Sequence, residues 1–192
     1  MLGRLASVFV LLISLSLRPA QAQSTGSGPR ESPDARVAAL DVALYNAQAN
    51  VQEATDADKA TLATGVLLGT LRDLLPGQLA DTAAVHAAAT SDTSLALAGG
   101  QPCNVIVACA RAVARTVHAP WVVLAKVSKT SNLIWLLTAQ LIHASSGNIV
   151  LDDSTELKGE PEAMVRAGAR IFAERVARTV RAGGRTTNFP TP

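Results

Sequence analysis

Three strand-like segments follow one another in the second half of the chain, and they constrain the fold more than any other feature. They are Trp121 to Lys129, Leu133 to His143 and Ile149 to Leu157, and each is rich in β-branched or apolar residues. The polar turns between them are too short to hold a crossover helix, so the spacing predicts an antiparallel meander. Polar and apolar residues alternate along these strands, but only partly. We therefore expect one sheet face to lie under helices and the other to be half exposed.

Apolar residues at helical spacing predict three helices that cover this sheet. The first has Asp56 as its N-cap and runs to about Leu75, before Pro76-Gly77. The second spans about Val105 to His118. The third starts at Glu160-Pro161-Glu162 and ends at Gly183-Gly184, since proline at the first position and acidic residues in the first turn favour a helix start. The last helix is predicted to bury Val165, Ala169, Phe172, Val176 and Val180.

The remaining segments complete a predicted α+β fold. Val37 to Tyr45 is typical of a buried strand, and a short strand near Leu79 is expected to precede a helical turn from Ala83 to Ala89. The predicted order is β-α-β-(α)-α-β-β-β-α, with a single mixed or antiparallel sheet covered by helices. One domain over residues 35–182 accommodates all of these elements.

The first 22 residues have the pattern of a cleavable secretory signal peptide. Arg4 precedes an apolar stretch from Leu5 to Leu17, and Ala20-Gln21-Ala22 offers small residues for cleavage before Gln23. The stretch is shorter than the roughly 20 residues of a membrane span, so we expect no stable membrane insertion after cleavage. Residues 23–34 are predicted to be a flexible linker and residues 183–192 a disordered tail. The sequence therefore predicts a periplasmic location.

Charge and composition exclude several classes of function. The chain has 17 basic and 15 acidic residues, and loss of Arg4 and Arg18 with the signal peptide makes these numbers equal. A neutral chain with 3% aromatic residues is a poor candidate for nucleic-acid binding. His86, His118 and His143 lie in different elements, and Asp152, Asp153 and Glu156 alternate between strand faces. We therefore expect no catalytic residue, no metal site and no cofactor, and the chain is predicted not to be an enzyme.

The two cysteines, Cys103 and Cys109, are candidates for a disulfide in an oxidising compartment. Within one helix a separation of six residues spans about 9 Å, which exceeds the roughly 7 Å that a bridge allows. The bridge therefore requires Cys103 to lie before the helix, as Pro102 and a potential N-cap at Asn104 suggest. A structural bridge is the favoured interpretation, and a redox-active pair is the alternative.

Four arginines fall on the polar side of the last predicted helix. They are Arg166, Arg170, Arg178 and Arg181, with Glu174 among them. One interpretation is an ordinary solvated face with pairs between residues four apart, such as Glu174 and Arg178. The other is a docking surface for an acidic partner.

Several short motifs resemble those of a family of small exported bacterial proteins of unknown function, usually described as predicted periplasmic proteins. The motifs are C-N-V-I-V-A-C from Cys103, then A-K-V-S-K-T-S-N-L-I and A-S-S-G, together with Leu40-Asp41 in the first strand. The family pattern has a K-V-S-x-N-L strand turn, where this chain carries extra residues, Lys129-Thr130-Ser131. The resemblance covers roughly Val37 to Val180. The element order is more loosely similar to the N-terminal domain of the TolB translocation protein and to lipoprotein activators of cell-wall synthases.

Two functional hypotheses follow from these patterns. The first is a non-catalytic accessory or protein-interaction domain of the periplasm, with another cell-envelope protein as its partner. The second is a small-ligand-binding sensor, which a cleft lined by Trp121 or Trp135 would favour.

Overall fold

The computed structural model describes residues 36–45, 53–131 and 134–184. The predicted signal peptide, the linker and residues 185–192 of the tail lie outside the described residues. The strands are β1 (Val37–Ala39), β2 (Ala43–Leu44), β3 (Trp121–Ser131), β4 (Ile134–His143) and β5 (Ile149–Lys158). The helices are α1 (Asp56–Leu74), α2 (Thr82–Ala89), α3 (Asp92–Ala98), α4 (Val107–Thr116) and α5 (Pro161–Arg181), with a 3₁₀ turn at Cys103–Val105.

The described strands form one mixed sheet, which confirms the predicted α+β class. The order is β1-β3-β4-β5, and β2 also pairs with β3. β3, β4 and β5 run antiparallel as the meander predicted, whereas β1 and β2 run parallel to β3. Val37 pairs with Trp121 on one side, and Trp121 pairs with His143 on the other. The parallel pairing joins the start of the domain to its middle.

The first strand is broken where the sequence predicted a continuous one. Leu40 still donates its N–H to the carbonyl of Val123, at 3.2 Å. The N–H of Val42 donates instead to the Thr64 hydroxyl on α1, at 2.8 Å. Because this donor turns away from β3, the ladder is interrupted between β1 and β2.

Helices α1 and α5 cover one face of the sheet and build the larger of two hydrophobic cores. Along α5 the predicted stripe, which is Val165, Ala169, Phe172, Val176 and Val180, is buried. These residues pack with alternate residues of β3 and β4, and both tryptophans belong to the same cluster. The alternation follows from strand geometry, in which every second side chain points to the same face.

A second core lies on the opposite face, under α2, α3 and α4. Val122, Leu124 and Ile142 contribute from the sheet, and Val85 and Val113 from the helices. These helices cover only part of the face. On the part of this face that the helices do not cover, Thr138 and Gln140 are half buried, and Asp152 and Glu156 are exposed. The expectation of one covered face and one half-exposed face is thereby confirmed.

Two predicted helix caps were wrong. Thr55, and not Asp56, is the N-cap of α1, and the Asp56 carboxylate instead accepts the N–H of Glu53, at 2.9 Å. Asn104 lies in the 3₁₀ turn, and Ile106 is the N-cap of α4.

α4 also ends at Thr116, before the predicted His118. His118 has a φ of 54°, and the N–H of Ala119 reaches back to the carbonyl of Ala114, at 2.8 Å. This pattern is a Schellman motif, which closes a helix with a left-handed residue.

The segment between α1 and α4 contains more helix than predicted. Leu79 forms a parallel bridge with Val37, as the short strand suggested, and α2 covers the expected helical turn. α3 was not predicted. Its N-cap, Ser91, accepts the N–H of Ser94, and its C-cap, Gly99, is left-handed. Only Ser94 and Ala98 are buried within its seven residues, so it offers little apolar periodicity.

Candidate interaction surface

The start of α5 is fixed by Glu160 and Pro161, as the sequence predicted. The Glu160 carboxylate accepts the N–H groups of Ala163 and Glu162, at 2.6 and 3.1 Å. These two hydrogen bonds hold the pKa of Glu160 below its ordinary value. Pro161 occupies the first turn, where N–H groups have no partner within the helix. Its lack of an N–H therefore costs no hydrogen bond.

The outer face of α5 carries the arginines singled out in the sequence. Arg166, Arg170, Arg178 and Arg181 are all exposed, and Glu174 between them is half buried. Ile171 also lies on the outer side of the helix and is 52% exposed. We call Arg166, Arg170, Ile171 and Arg178 the outer α5 surface.

The arginines of α5 differ in whether they already bind other residues of the domain. The guanidinium of Arg181 donates to the carbonyl of Leu74, and this bond ties the two helix ends together. Arg175, which the sequence analysis did not select, pairs with Asp153 of β5. Arg170 forms no hydrogen bond or ion pair with any residue in the described ranges. The N-terminal half of the surface therefore keeps the most available positive charge.

The two cysteines form the expected disulfide between the 3₁₀ turn and α4. Their Cα atoms are 5.2 Å apart, and both residues are buried in the second core. Cys103 precedes the helix, as the separation argument required. A buried bridge is poorly placed to exchange with a partner thiol, since exchange needs access to sulfur.

The histidines and the acidic strand residues are dispersed. His86 on α2 lies near Asp41, and the His143 ring packs edge-on against Trp121, with centroids 4.8 Å apart. Asp152 accepts from Gln140, whereas Asp153 faces Arg175. Burial raises the pKa of Asp153, although Arg175 opposes the shift. No group of His, Cys, Asp and Glu within residues 36–45, 53–131 and 134–184 is arranged to hold a metal ion.

Both tryptophans are buried in the larger core. Trp121 is packed against His143 and the turn that follows α5, and Trp135 lies under the side chain of Lys129. These contacts leave at most 7% of either residue exposed.

Sequence reasoning missed a buried ionic cluster at the start of α1. The Lys129 side chain is 3% exposed, and its Nζ lies 3.1 Å from Glu53 and 3.3 Å from Asp56. Burial lowers the pKa of Lys129, but the two carboxylates raise it by more, so it lies above its ordinary value. The signal was present in β3, because Lys129 follows Val127 by two residues and shares its inward face.

Comparison with solved structures gives matches at low sequence identity and with TM-scores below 0.5. The LpoB C-terminal domain from Salmonella enterica is 17% identical, with a TM-score of 0.44, over 66% of this chain and 84% of that one. Lipoprotein GNA1162 from Neisseria meningitidis is 11% identical, with a TM-score of 0.39, over 80% and 99%. TolB from Acinetobacter baumannii is 14% identical, with a TM-score of 0.38, over 76% and 29%.

Sequence comparison places the chain in a family of proteins of unknown function. No curated protein matches the chain. None of the helices in the described part of the chain is both long and apolar enough to cross a membrane. A family described as "Protein of unknown function (DUF2380)" matches residues 35–176. Because this match covers most of the 192 residues, including every strand and most of α5, the protein belongs to that family.

Proposed function

We propose that this protein is a non-catalytic interaction domain of the bacterial periplasm, and that it binds an acidic surface of another cell-envelope protein. The observation that carries the proposal is the outer α5 surface. Exposed arginines and an exposed isoleucine lie there, on a helix whose opposite side is anchored in the larger core.

The chemistry of this surface suits protein binding. Arginine is enriched in the energetically important parts of interfaces, where its planar group pairs with carboxylates in two-pronged geometry. Ile171 supplies apolar area that a partner can cover. A rigid helix also loses little conformational freedom on binding, which favours affinity. An acidic patch with an apolar centre is the complementary partner surface.

The periplasmic location is supported by the pattern of residues 1–22. N-terminal sequencing of the protein purified from a periplasmic extract should begin at Gln23. A soluble protein that retains Met1 would contradict the proposed location, without bearing on the outer α5 surface.

Charge reversal separates a docking surface from a solvated helix face. The test variant is Arg166→Glu with Arg170→Glu, and the matched control is Arg72→Glu with Arg115→Glu, two exposed arginines on α1 and α4. Crosslinked partners would be captured from envelope extract and quantified by mass spectrometry. The test variant should lose the specific partner by about tenfold or more, since close charge pairs at interfaces contribute on this scale.

Three further readouts make the result decisive. Thermal unfolding should differ little between the two double variants, because both change exposed residues. The control variant should retain the partner. Raising the salt concentration should weaken capture by the wild type, since salt screens exposed charges. The docking role would be overturned if the test variant captured as much partner as the wild type and salt did not weaken capture by the wild type.

A further inference from the structure

A pocket of about 210 Å³ opens on the side of the molecule opposite to α5. It lies among the β1–β2 connection, α2, α3 and the disulfide-closed 3₁₀ turn. Its walls are mainly apolar, and they include Leu40, Val85, Ala89, Leu95 and Cys103. Leu95 is 47% exposed, so an apolar edge of the pocket faces solvent. The disulfide fixes one wall, since Cys103 is tied to α4.

Three polar side chains from three elements meet at this pocket. Asp41 comes from the β1–β2 connection, His86 from α2 and Asn104 from the 3₁₀ turn. The Asp41 carboxylate and the His86 imidazole are 3.7 Å apart, and both side chains are largely exposed. Asp41 and Asn104 also belong to the motifs singled out in the sequence, although 63 residues separate them.

Asn104 has a buried acceptor with no hydrogen-bond partner among the described residues. Its Nδ2 group donates to the carbonyl of Asp41, at 2.7 Å. This bond fixes the orientation of the amide, because the reversed amide would place two oxygens against each other. The remaining oxygen, Oδ1, is buried and unpaired within the described part of the chain. The amide of Asn104 therefore holds the backbone of Asp41 in place beside the pocket.

The size and polarity of the pocket define a class of ligand. An apolar cavity of roughly 150 Å³ is large enough for benzene, so this pocket accommodates one ring or an equivalent branched chain. The Asp41 carboxylate, an anionic acceptor, lies beside the apolar walls of this pocket. A ligand that complements them needs an apolar body and a donating, positively charged group.

We propose that this pocket binds a small amine with a compact apolar body. The ammonium group donates to the Asp41 carboxylate, and the apolar body contacts Val85 and Leu95. The site lies on the other face of the sheet from the outer α5 surface, so it goes beyond the proposed protein interaction and is tested independently of it.

Benzylamine, benzyl alcohol and benzoate are matched probes for this site, because they share a ring and differ in the polar group. Each would be titrated into the isotope-labelled protein, with backbone amide shifts followed by NMR. Benzylamine should produce saturable shifts at Val85, Leu95 and Asn104. Benzyl alcohol should bind more weakly at the same residues, and benzoate should not bind there.

Two variants connect binding to the named side chains. Asp41→Asn should raise the Kd for benzylamine by about three- to fivefold, in keeping with the loss of one exposed ion pair. The matched control is Asp73→Asn, an exposed carboxylate on α1, and it should leave the Kd within about twofold. Because Asp41 is exposed, its variant should remain folded, which its amide spectrum would verify.

The proposal is overturned by any of three results. One is equal binding of benzoate and benzylamine. Another is benzylamine shifts that lie outside the pocket, and the third is a Kd that Asp41→Asn does not change. An absence of binding by all three probes would also exclude a site for single-ring amines.

Discussion

Lys129 illustrates how strand alternation can bury a charged residue. Its position two residues after Val127 places it on the inward face of β3, where Glu53 and Asp56 neutralise it. The strand was predicted from its apolar residues, but the partners of Lys129 are the first residue of α1 and a residue just before it. Pairing between residues so far apart in sequence leaves no local pattern, so the inward direction of Lys129 could be predicted but its partners could not.

Asn104 presents the same difficulty in another form. Its residue type favours helix caps, so local reasoning assigned it to the start of α4. The structure uses its amide across the fold, to bind the carbonyl of Asp41. Local propensity gave the wrong cap and could not identify the long-range partner.

Two glycines in helical surroundings should respond oppositely to substitution by alanine. Gly65 lies at an exposed position inside α1 with open space around it, so Gly65→Ala should stabilise by about 0.5–1 kcal/mol. Gly184 has a φ of 82°, and a Cβ there would meet the Trp121 ring, so Gly184→Ala should destabilise by about 1–3 kcal/mol. Urea denaturation measures both. Destabilisation by Gly65→Ala would show that the Gly65 and Gly69 side of α1 is packed against another surface.

At the scale of elements, helices with strong end signals were predicted best. α5 has Pro161 in its first turn and a Schellman motif at Gly183-Gly184, and its bounds match the sequence closely. α3 lacks such signals apart from Ser91, and most of its side chains are exposed. Its position is determined by packing on α4, which a single sequence does not reveal.

The cap of α5 should make stability depend on the charge of Glu160. Because the folded state lowers the pKa of Glu160 below its ordinary value of 4.5, the charged form stabilises the fold above that pH. The contribution is lost as the pH falls through the folded-state pKa. Glu160→Gln should therefore be less stable than the wild type at pH 7 and equally stable near pH 2. Denaturation curves at both pH values would check this, and a difference that persists in acid would indicate altered geometry instead.

Removal of the disulfide should weaken the second core selectively. Cys103→Ser with Cys109→Ser should cost about 2 kcal/mol, because the bridge closes a loop of only a few residues. Chemical denaturation gives this value, and thiol labelling of the native wild type confirms the bridge. Free thiols in the wild type, or unchanged stability in the variant, would argue against a structural role.

For the whole molecule, the class and most of the element order were predictable because the meander and the long helices carry regular patterns. The interruption between β1 and β2 was not, since it depends on Val42 bonding to Thr64 of α1. Three residues of the outer α5 surface were among the four arginines selected from the sequence. Ile171 was not selected, because helical spacing alone does not show that it points away from both cores.

Both cores share the sheet, so the domain should unfold in one step. Phe172 is buried in the larger core, and Phe172→Ala should cost about 3–5 kcal/mol. Trp121 and Trp135 report on that core through fluorescence, whereas circular dichroism reports on all the helices. The two signals should give the same midpoint in the wild type and shift together in the variant. Separate midpoints would show that the two cores unfold independently.

The parallel pairing of β1 with β3 has a consequence for when the chain can fold. Leu79 offers Val37 an early bridge, but a full strand partner comes only with Trp121, and the larger core also needs Phe172 and Val176 from α5. Such distant contacts slow folding, because a long loop must close before they form. Nearly the whole chain must therefore be synthesised before its interior can close.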